Sequence, residues 1–360
     1  MIAVLIFILI LSLLIIVHEF GHFIAARRNG VRVEQFSLGF GPLIFKKKKG
    51  DTEYSLNLIP LGGYVKMAGD SQSEYQGKED EYFAKSPGKR FQIIFCGPLL
   101  NYILGFLFFW IIFFMGYPSL TSKVGGLIDG YGAKAAGLQV GDKILAVDGR
   151  KVEMWEDLQQ AIRERKISSN VSLQVLRNNQ ELKFNVSIKD KVLNDQLGDK
   201  HVLGIIGISP FDEVVEVRHG FLESALLGFK KTMDLTVMTY TGLWRLVTGK
   251  MSMRDSMTGP LGIFFITSKA AKLGLIALMH LIAVLSVSLA IFNLLPLPIL
   301  DGGHLFLLGL EKLRKKALGA KAEEIINNVG FSLMITLALF VTYNDILRLY
   351  ADKMSKMVAK

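Results

Sequence analysis

Hydrophobic residues are concentrated along this chain in four long blocks, each long enough to cross a bilayer as a helix. The blocks run from about 2 to 26, 91 to 116, 275 to 297 and 329 to 347. Between the second and third blocks, charges of both signs alternate with short strand-like runs, which is typical of a water-exposed domain. The pattern therefore predicts an α-helical multi-pass membrane protein of four transmembrane helices, with an α/β domain inserted between the second and the third.

Composition supports this interpretation. The 360 residues are 51% hydrophobic and 21% charged, which is unusually apolar for a soluble protein of this length. The net charge of +10 comes without a basic stripe interleaved with aromatic residues, so we expect no nucleic-acid partner. A single cysteine, Cys96, excludes an internal disulfide and is interpreted as a buried thiol.

Basic residues near the block ends predict the orientation in the membrane. They cluster after the first block, before the second and after the third, at Arg27, Arg28, Arg32, Lys85, Lys89, Arg90, Lys312 and Arg314–Lys316. Those two loops are therefore expected in the cytoplasm, with both termini and the inserted region outside, although Arg348 and Lys353 weaken this assignment. The first block has no basic n-region and no small-residue cleavage site, so we interpret it as a retained span.

The segment from about 36 to 66 predicts a β-hairpin. Two extended apolar runs flank Lys46–Lys49 and the turn residues Gly50-Asp51. One interpretation is an ordinary cytoplasmic hairpin. The other is a membrane-associated, re-entrant hairpin, which requires that protein or a water-filled cavity satisfies its backbone.

Four regions follow from these patterns: a first membrane half over 1–120, a compact domain over 121–209, a connector over 210–274 and a second membrane half over 275–360. The connector contains an amphipathic stretch from Glu216 to about Lys250. That stretch is predicted either to lie along the membrane surface or to pack as a partner helix of the core.

A metal-binding pattern, His18-Glu19-Phe20-Gly21-His22, lies within the first apolar block. On a helix the two histidines share one face and can bind one Zn²⁺, while Glu19 lies beside them as a general base for a metal-activated water. Met1 to Val17 carry no charged side chain, so three ionisable groups follow an uncharged run. Ionisable residues inside a membrane are functional candidates because each is costly to insert.

A hydrolytic zinc site usually has three protein ligands, and Asp301 is the best candidate for the third. Pro296 and Pro298 break the third apolar block just before it, which allows the chain to turn the aspartate inward. An ordinary stop-and-turn at Asp301-Gly302-Gly303 is the alternative.

Together these motifs resemble the site-2 protease family of intramembrane zinc metalloproteases, in particular the bacterial group that cleaves anti-sigma factors. The resemblance extends over the whole chain and is supported by four further motifs in the same order: Gly39-Phe40-Gly41-Pro42, Pro60–Lys66, Gly97-Pro98-Leu99-Leu100-Asn101 and Gly259-Pro260. Well-known members carry two tandem PDZ domains, whereas this chain has room for one.

The resemblance implies that His18, His22 and Asp301 bind zinc and that Glu19 is the general base. Asn293 is the candidate donor to the oxyanion, with capping of the helix end as the alternative. A transmembrane substrate must unwind before it is cut, so Tyr54, Leu56 and Leu58 of the hairpin are expected to offer it a strand edge. The expected substrates are single-span membrane proteins, either anti-sigma factors or remnant signal peptides.

Residues 133–149 resemble the bacterial PDZ pattern, and Gly204 and Ile205 are expected in its peptide-binding edge. Such a domain acts either as a size filter or as a receptor for a chain terminus. Two rival functions remain: a membrane scaffold with a decayed metal site, and a zinc transporter. The second does not explain Glu19, the hairpin or the insertion, and the intact motifs argue against the first. The predicted location is a bacterial inner membrane.

Overall fold

The computed structural model describes residues 2–165, 169–194, 200–252, 257–315 and 319–358. The chain divides into two compact units, one made of Met1–Ile112 with Leu222–Lys360 and the other of Phe113–Phe221. We call the first the membrane unit and the second the inserted unit.

The helices of the described residues are α1 (Ile2–Arg28), α2 (Pro87–Met115), α3 (Gly132–Ala135), α4 (Trp155–Arg163), α5 (Phe221–Val247), α6 (Pro260–Leu273), α7 (Leu275–Asn293), α8 (Asp301–Arg314) and α9 (Ala320–Val358). The strands are β1 (Val33–Lys49), β2 (Thr52–Met67), β3 (Tyr117–Leu120), β4 (Val124–Leu127), β5 (Lys143–Val147), β6 (Arg150–Lys151), β7 (Asn170–Arg177), β8 (Gln180–Ser187), β9 (Lys189–Asn194), β10 (Lys200–Ile205), β11 (Ile208–Pro210) and β12 (Val214–Val217).

Four helices of the described chain are long and apolar enough to cross a membrane, as the sequence predicted. They are Ile2–Arg28, Pro87–Met115, Leu275–Asn293 and Asn328–Tyr350. The third ends at Asn293 and not near Leu297. Pro296 explains the difference, since proline lacks an N–H and disfavours helical backbone in the residue before it.

Glycines set how closely the spanning helices approach one another. A Cβ added at Gly21 of α1 would overlap the Cys96 carbonyl of α2, and one at Gly105 of α2 would overlap Val287 of α7. Small residues at helix crossings permit this backbone-to-backbone contact in a membrane. The Ser286 hydroxyl of α7 also donates to the Asn101 carbonyl of α2 at 2.7 Å.

The amphipathic connector is a partner helix of this core. Helix α5 packs Gly228 against the backbone of Trp110 in α2, and the hydroxyls of Tyr102 and Thr236 lie 2.8 Å apart. Of the two interpretations of this stretch, these contacts favour packing over lying on a surface. Glu216, the predicted start of the stretch, belongs instead to β12, which pairs with β3.

The predicted hairpin is present as β1 and β2, but each strand bends and folds back on the sheet. Phe36 pairs with both Val65 and Tyr54, and Tyr54 pairs in turn with Lys47. The two strands therefore form four antiparallel runs in the order 43–49, 52–57, 35–38 and 63–67. Among the residues that the structure describes, the outer runs 43–49 and 63–67 have a strand partner on one side only, and we call these the free edges.

This arrangement corrects the predicted substrate edge. Tyr54 and Leu56 lie in an inner run whose backbone is paired on both sides, with Phe36 and Leu38 on one side and with Lys47 and Phe45 on the other. A new strand cannot pair with them, because their hydrogen-bonding groups already have partners. Sequence patterns predict a hairpin but not a bend within its strands, which is why this assignment was wrong. The side chain of Leu58 remains exposed beyond this run.

The inserted unit has a four-stranded antiparallel sheet in the order β6-β5-β7-β8, with α4 contributing Trp155 and Leu158 to its core. Strand β4 pairs with β11, and β3 pairs with β12. The β3–β12 ladder closes the unit, and for that reason its bounds extend beyond the predicted 121–209. The predicted bounds of the other regions stay predictions.

Gly204 and Ile205, expected in the peptide-binding edge, lie at the end of β10 and pair with Asp190 and Lys189 of β9. The run that contains them then turns at Gly207, whose φ is +85°, and continues as β11. Residues 203–208 are therefore divided between two ladders. Their role in binding a peptide stays a prediction.

The first turn of α8 packs against the end of α7. A Cβ at Gly302 would overlap backbone atoms of Leu294 and Leu295, and one at Gly303 would overlap the Leu297 carbonyl. Gly309, in the same helix, is exposed and has open space around it. The two glycines that follow Asp301 are therefore required by backbone contact, whereas Gly309 is not.

We expect Gly302→Ala to lower the free energy of unfolding by about 1–3 kcal/mol, as for other overpacked sites. Gly309→Ala is the matched control and should raise it by roughly 0.5–1 kcal/mol through helix propensity. Urea unfolding of the full chain in mild detergent measures both. Equal effects of the two substitutions would contradict the close packing at Gly302.

Candidate metal centre

Three ligand atoms from two distant parts of the chain converge in the membrane unit. His18 Nε2 lies 3.2 Å from His22 Nε2 and 3.1 Å from Asp301 Oδ2. His22 Nε2 lies 3.5 Å from Asp301 Oδ1. Among the described residues this is the one group of three histidine, cysteine or carboxylate side chains close enough to share a metal ion. The structure therefore brings together the three predicted ligands.

The orientation of His22 is fixed by helix α2. Its Nδ1 lies 2.9 Å from the Ile93 carbonyl, so Nδ1 carries the proton and donates it there. Nε2 is then left with a free lone pair directed at His18 and Asp301. A Cβ at Gly97, one turn further along α2, would overlap the His22 ring. Glycine at this position makes room for the imidazole.

This donor set fits zinc. Ligand atoms at about 2.0–2.1 Å from a tetrahedral zinc lie roughly 3.3–3.4 Å apart. The three separations of 3.1 to 3.5 Å bracket that value. A carboxylate and two imidazole nitrogens are also ligand types that zinc prefers.

Glu19 lies on the side of the metal centre that faces the sheet. Its Cγ is 3.5 Å from the Cβ position of Gly63, and the backbone N–H of Val65 is directed at its carboxylate. Both residues belong to the free edge run 63–67. The candidate general base is therefore placed between the metal ligands and an unpaired strand edge.

Asn293 is the last residue of α7, seven residues after Ser286. Seven residues are about two helical turns, so both lie on the face of α7 that contacts α2. Since Ser286 meets Asn101 and α7 runs antiparallel to α2, the helix register places Asn293 near the level of Ile94, next to Ile93, whose carbonyl accepts the His22 proton. Its role as a donor stays a prediction.

The link between α7 and α8 contains a strained residue. Ile299 has a φ of +75°, which is rare for a β-branched side chain and costs on the order of 1–3 kcal/mol. It lies between Pro298 and Leu300, the N-cap of α8. The strained turn allows α8 to begin at Asp301 with its carboxylate at the two histidines.

A cavity of about 90 Å³ is lined by polar and apolar side chains of α2, of α8 and of the segment that precedes α2. Its lining includes Arg90 of α2, His304 and Glu311 of α8, and Asp70 and Tyr82 from the segment that precedes α2. Burial raises the pKa of the Asp70 carboxyl and the pKa of the Tyr82 phenol. The cavity thus lies between α8, which carries Asp301, and the segment that precedes α2.

Sequence reasoning missed the contributions of α2. The Ile93 carbonyl has no sequence signal, because any residue supplies one. Gly97 belongs to a motif that supported the family resemblance. Its spacing of four residues from Asn101 was the available signal that both lie on one face of α2. Asn101 is fully buried, and neither amide atom of its side chain has a hydrogen-bond partner among the described residues.

Comparison with solved structures found PDZ domains that are similar to about a quarter of this chain. The PDZ domain of the SdrC-like protein from Listeria monocytogenes is 21% identical, covers 25% of this chain and 86% of its own, and has a TM-score of 0.21. The PDZ domain of the SdrC-like protein from Listeria innocua is 20% identical over 26% of this chain and 96% of its own, also with a TM-score of 0.21.

The whole chain matches curated proteins. It is 30% identical to the zinc metalloprotease RasP of Geobacillus kaustophilus, over 96% of this chain and 97% of that protein. It is also 30% identical to the regulator of sigma-W protease RasP of Bacillus subtilis, over 96% and 98%. A family profile described as Peptidase family M50 matches residues 6–337. The resemblance found in the sequence is confirmed: the chain belongs to peptidase family M50, the site-2 protease family.

Proposed function

We propose that this chain is an intramembrane zinc metalloendopeptidase that cuts single-span membrane proteins. The observation that carries the proposal is the set of three converging ligands with Glu19 beside them, built on a helix apolar enough to span a membrane. The names of its relatives, a regulator of sigma-W protease and a regulator of sigma E protease, support anti-sigma factors as the substrate class. Remnant signal peptides are the second candidate substrate.

His18, His22 and Asp301 would hold the zinc ion. When bound there, zinc lowers the pKa of a water molecule and polarises a peptide carbonyl. Glu19 takes the proton from the attacking water at its carboxylate and later returns it to the leaving amine. Asn293 donates its amide N–H to the negative charge that develops on the carbonyl oxygen.

We expect Glu19→Gln to reduce cleavage of a tagged panel of single-span proteins by about 10²–10⁴-fold, because it removes the general base. The variant should retain one zinc per chain, measured by atomic emission after purification. His18→Ala is the matched control and should lose both cleavage and zinc. Unchanged cleavage by Glu19→Gln would overturn the assignment of the base.

The sheet is proposed to enter the membrane with one end only. Phe40, Leu43, Ile44 and Ile59 are exposed around the bends at one end of the four runs. Lys46–Lys49, with the Lys46–Glu53 ion pair, lie at the other end. The apolar end suits the hydrocarbon and the charged end suits the cytoplasmic surface, where basic residues are favoured. This supports the re-entrant interpretation.

The unwound substrate is proposed to pair with the run 63–67. This edge is free of strand partners, lies next to Glu19 and presents the Val65 N–H toward the metal centre. Main-chain pairing there would hold a peptide in an extended conformation without depending on its side chains. The edge would therefore select little for the substrate's sequence. The edge replaces the inner run that contains Tyr54 and Leu56.

Val65→Pro should lower kcat/KM for cleavage about tenfold, through a higher KM, because it removes the N–H that is directed at Glu19 and that lies on the edge proposed to pair with the substrate. The inward ladder between Tyr64 and Ser37 is retained. Val65→Ala, which keeps the N–H, is the control and should leave KM near the wild-type value. If Val65→Pro lowers kcat and leaves KM unchanged, the edge supports Glu19 and does not bind substrate.

The inserted unit is proposed to be a PDZ-like domain on the external side of a bacterial inner membrane, with both chain termini on that side. Its Ala133–Gly149 sequence pattern and its β-sheet with two helices support this. It serves as a size filter against substrates whose outer portion is intact, or as a receptor for a peptide terminus. Gly204 and Ile205 are the proposed contacts for that peptide.

The β3–β12 ladder allows a deletion that tests this role. Leu120 pairs with Val214, so residues 121–213 can be replaced by an Asn-Gly turn that closes a hairpin. A size filter predicts that the deleted protein cuts full-length substrate at least tenfold faster, measured by immunoblot time courses. A receptor predicts slower cleavage of substrates that were already trimmed. An unchanged preference would contradict both roles.

A further inference from the structure

A buried ion pair joins helices α2 and α8 at a distance from the metal ligands. The Arg90 guanidinium contacts the Glu311 carboxylate in a two-pronged arrangement, with Nη2–Oε1 at 2.6 Å and Nη1–Oε2 at 3.1 Å. Arg90 is 5% exposed and its guanidinium carbon also lies 5.5 Å from the centre of the Phe83 ring. The guanidinium is therefore held from several sides and buried, while the Glu311 side chain is 21% exposed.

Arg90 lies on the face of α2 that contacts the metal centre. Ile93, whose carbonyl accepts the His22 proton, and Gly97, which makes room for the His22 ring, follow it at intervals of three and seven residues. Residues at these intervals share one helix face. Between Arg90 and Gly97 α2 rises about 10 Å. One stretch of α2 therefore carries Arg90 at one end, and at the other end the two residues that position His22.

Glu311 lies on the helix that carries the third ligand. Asp301 begins α8 and Glu311 is ten residues later, so the two are about 15 Å apart along one axis. The turn before α8 is strained at Ile299, and the first turn of α8 rests on the backbone of the link residues Leu294–Leu297. A second attachment near the other end of α8 fixes its direction.

We propose that the Arg90–Glu311 pair is a positioning device that fixes the distance between Asp301 and the two histidines. The inference rests on the proposed function, since it assumes that these three residues bind zinc. Helix α2 then positions the ligands on both sides of the metal centre. It holds His22 through the Ile93 carbonyl, and it holds Asp301 through the ion pair to α8. Arginine suits this task because its planar fork fixes both distance and direction, which a lysine does not.

The test is the zinc affinity of the purified full chain, measured in detergent by competition with a chelator. Arg90→Gln and Glu311→Gln should each raise the zinc Kd about 10–100-fold, the range seen when support for a ligand is removed. The zinc Kd of the double variant should not exceed the higher Kd of the two single variants, because both substitutions remove the same ion pair. Arg90→Lys keeps the charge without the fork and should fall between wild type and Arg90→Gln.

The control is Arg32→Gln, which breaks an ion pair of similar length but greater exposure, Arg32 Nε–Asp80 Oδ2 at 2.7 Å, between residues that lie on neither α2 nor α8. It should leave the zinc Kd unchanged. The absorption spectrum of the cobalt-substituted protein gives a second measurement: Arg90→Gln should shift it and Arg32→Gln should not. If Arg90→Gln does not fold, Arg90→Lys and Glu311→Gln provide the comparison.

Zinc Kd values within twofold of wild type in Arg90→Lys and Glu311→Gln would overturn the inference. So would additive losses in the double variant, or an equal loss in Arg32→Gln. These results differ from a failure of the proposed function, in which the wild-type chain itself binds no zinc, or His18→Ala binds it as well as wild type. That failure would remove the inference as well.

Discussion

The backbone contact between α1 and α2 is the constraint on which the metal centre depends. Gly21 and Gly97 remove the side chains that would separate the two helices, and the His22 ring occupies the space so made. The same approach brings the Ile93 carbonyl within 2.9 Å of His22 Nδ1. In a membrane there is no hydrophobic force between helices, so close packing and such hydrogen bonds are what hold them together. His22 of the metal centre therefore also contributes to the packing of α1 against α2.

Several polar side chains of the membrane unit have hydrogen-bond partners within their own helix or at the start of another helix. In α5, the hydroxyls of Thr232, Thr236 and Thr239 each donate to the carbonyl four residues earlier. In α9, Asp345 accepts from the N–H groups of Gly259 and Gly262 and so caps the start of α6. Because an unpaired polar group in hydrocarbon costs several kcal/mol, the threonine bonds lower the cost of these side chains within α5, and the Asp345 bonds join α9 to α6. The Asn101 amide stands apart from this pattern.

Much of the fold and of the metal centre was predictable from sequence, because the signals were periodic or chemically rare. Long apolar blocks identify spanning helices, and His18, Glu19 and His22 stand out against an uncharged run. Asp301 was identified from two prolines and the need for a third ligand. What could not be predicted depends on pairing at a distance. The bends that pair Phe36 with both Val65 and Tyr54 leave no periodic trace, since each run still alternates as a strand.

The ladder that closes the inserted unit has a consequence for how such chains diversify. Tyr117 pairs with Val217 and Leu120 with Val214, so the chain enters and leaves this unit at neighbouring points. An insertion with adjacent ends adds little loop-closure entropy to the folding of its host, whatever its length. The host can therefore gain, lose or duplicate the insertion without a change in its own helix packing. A protease built in this way can acquire a new recognition domain by exchanging this one unit, while the residues of its candidate metal centre stay unchanged.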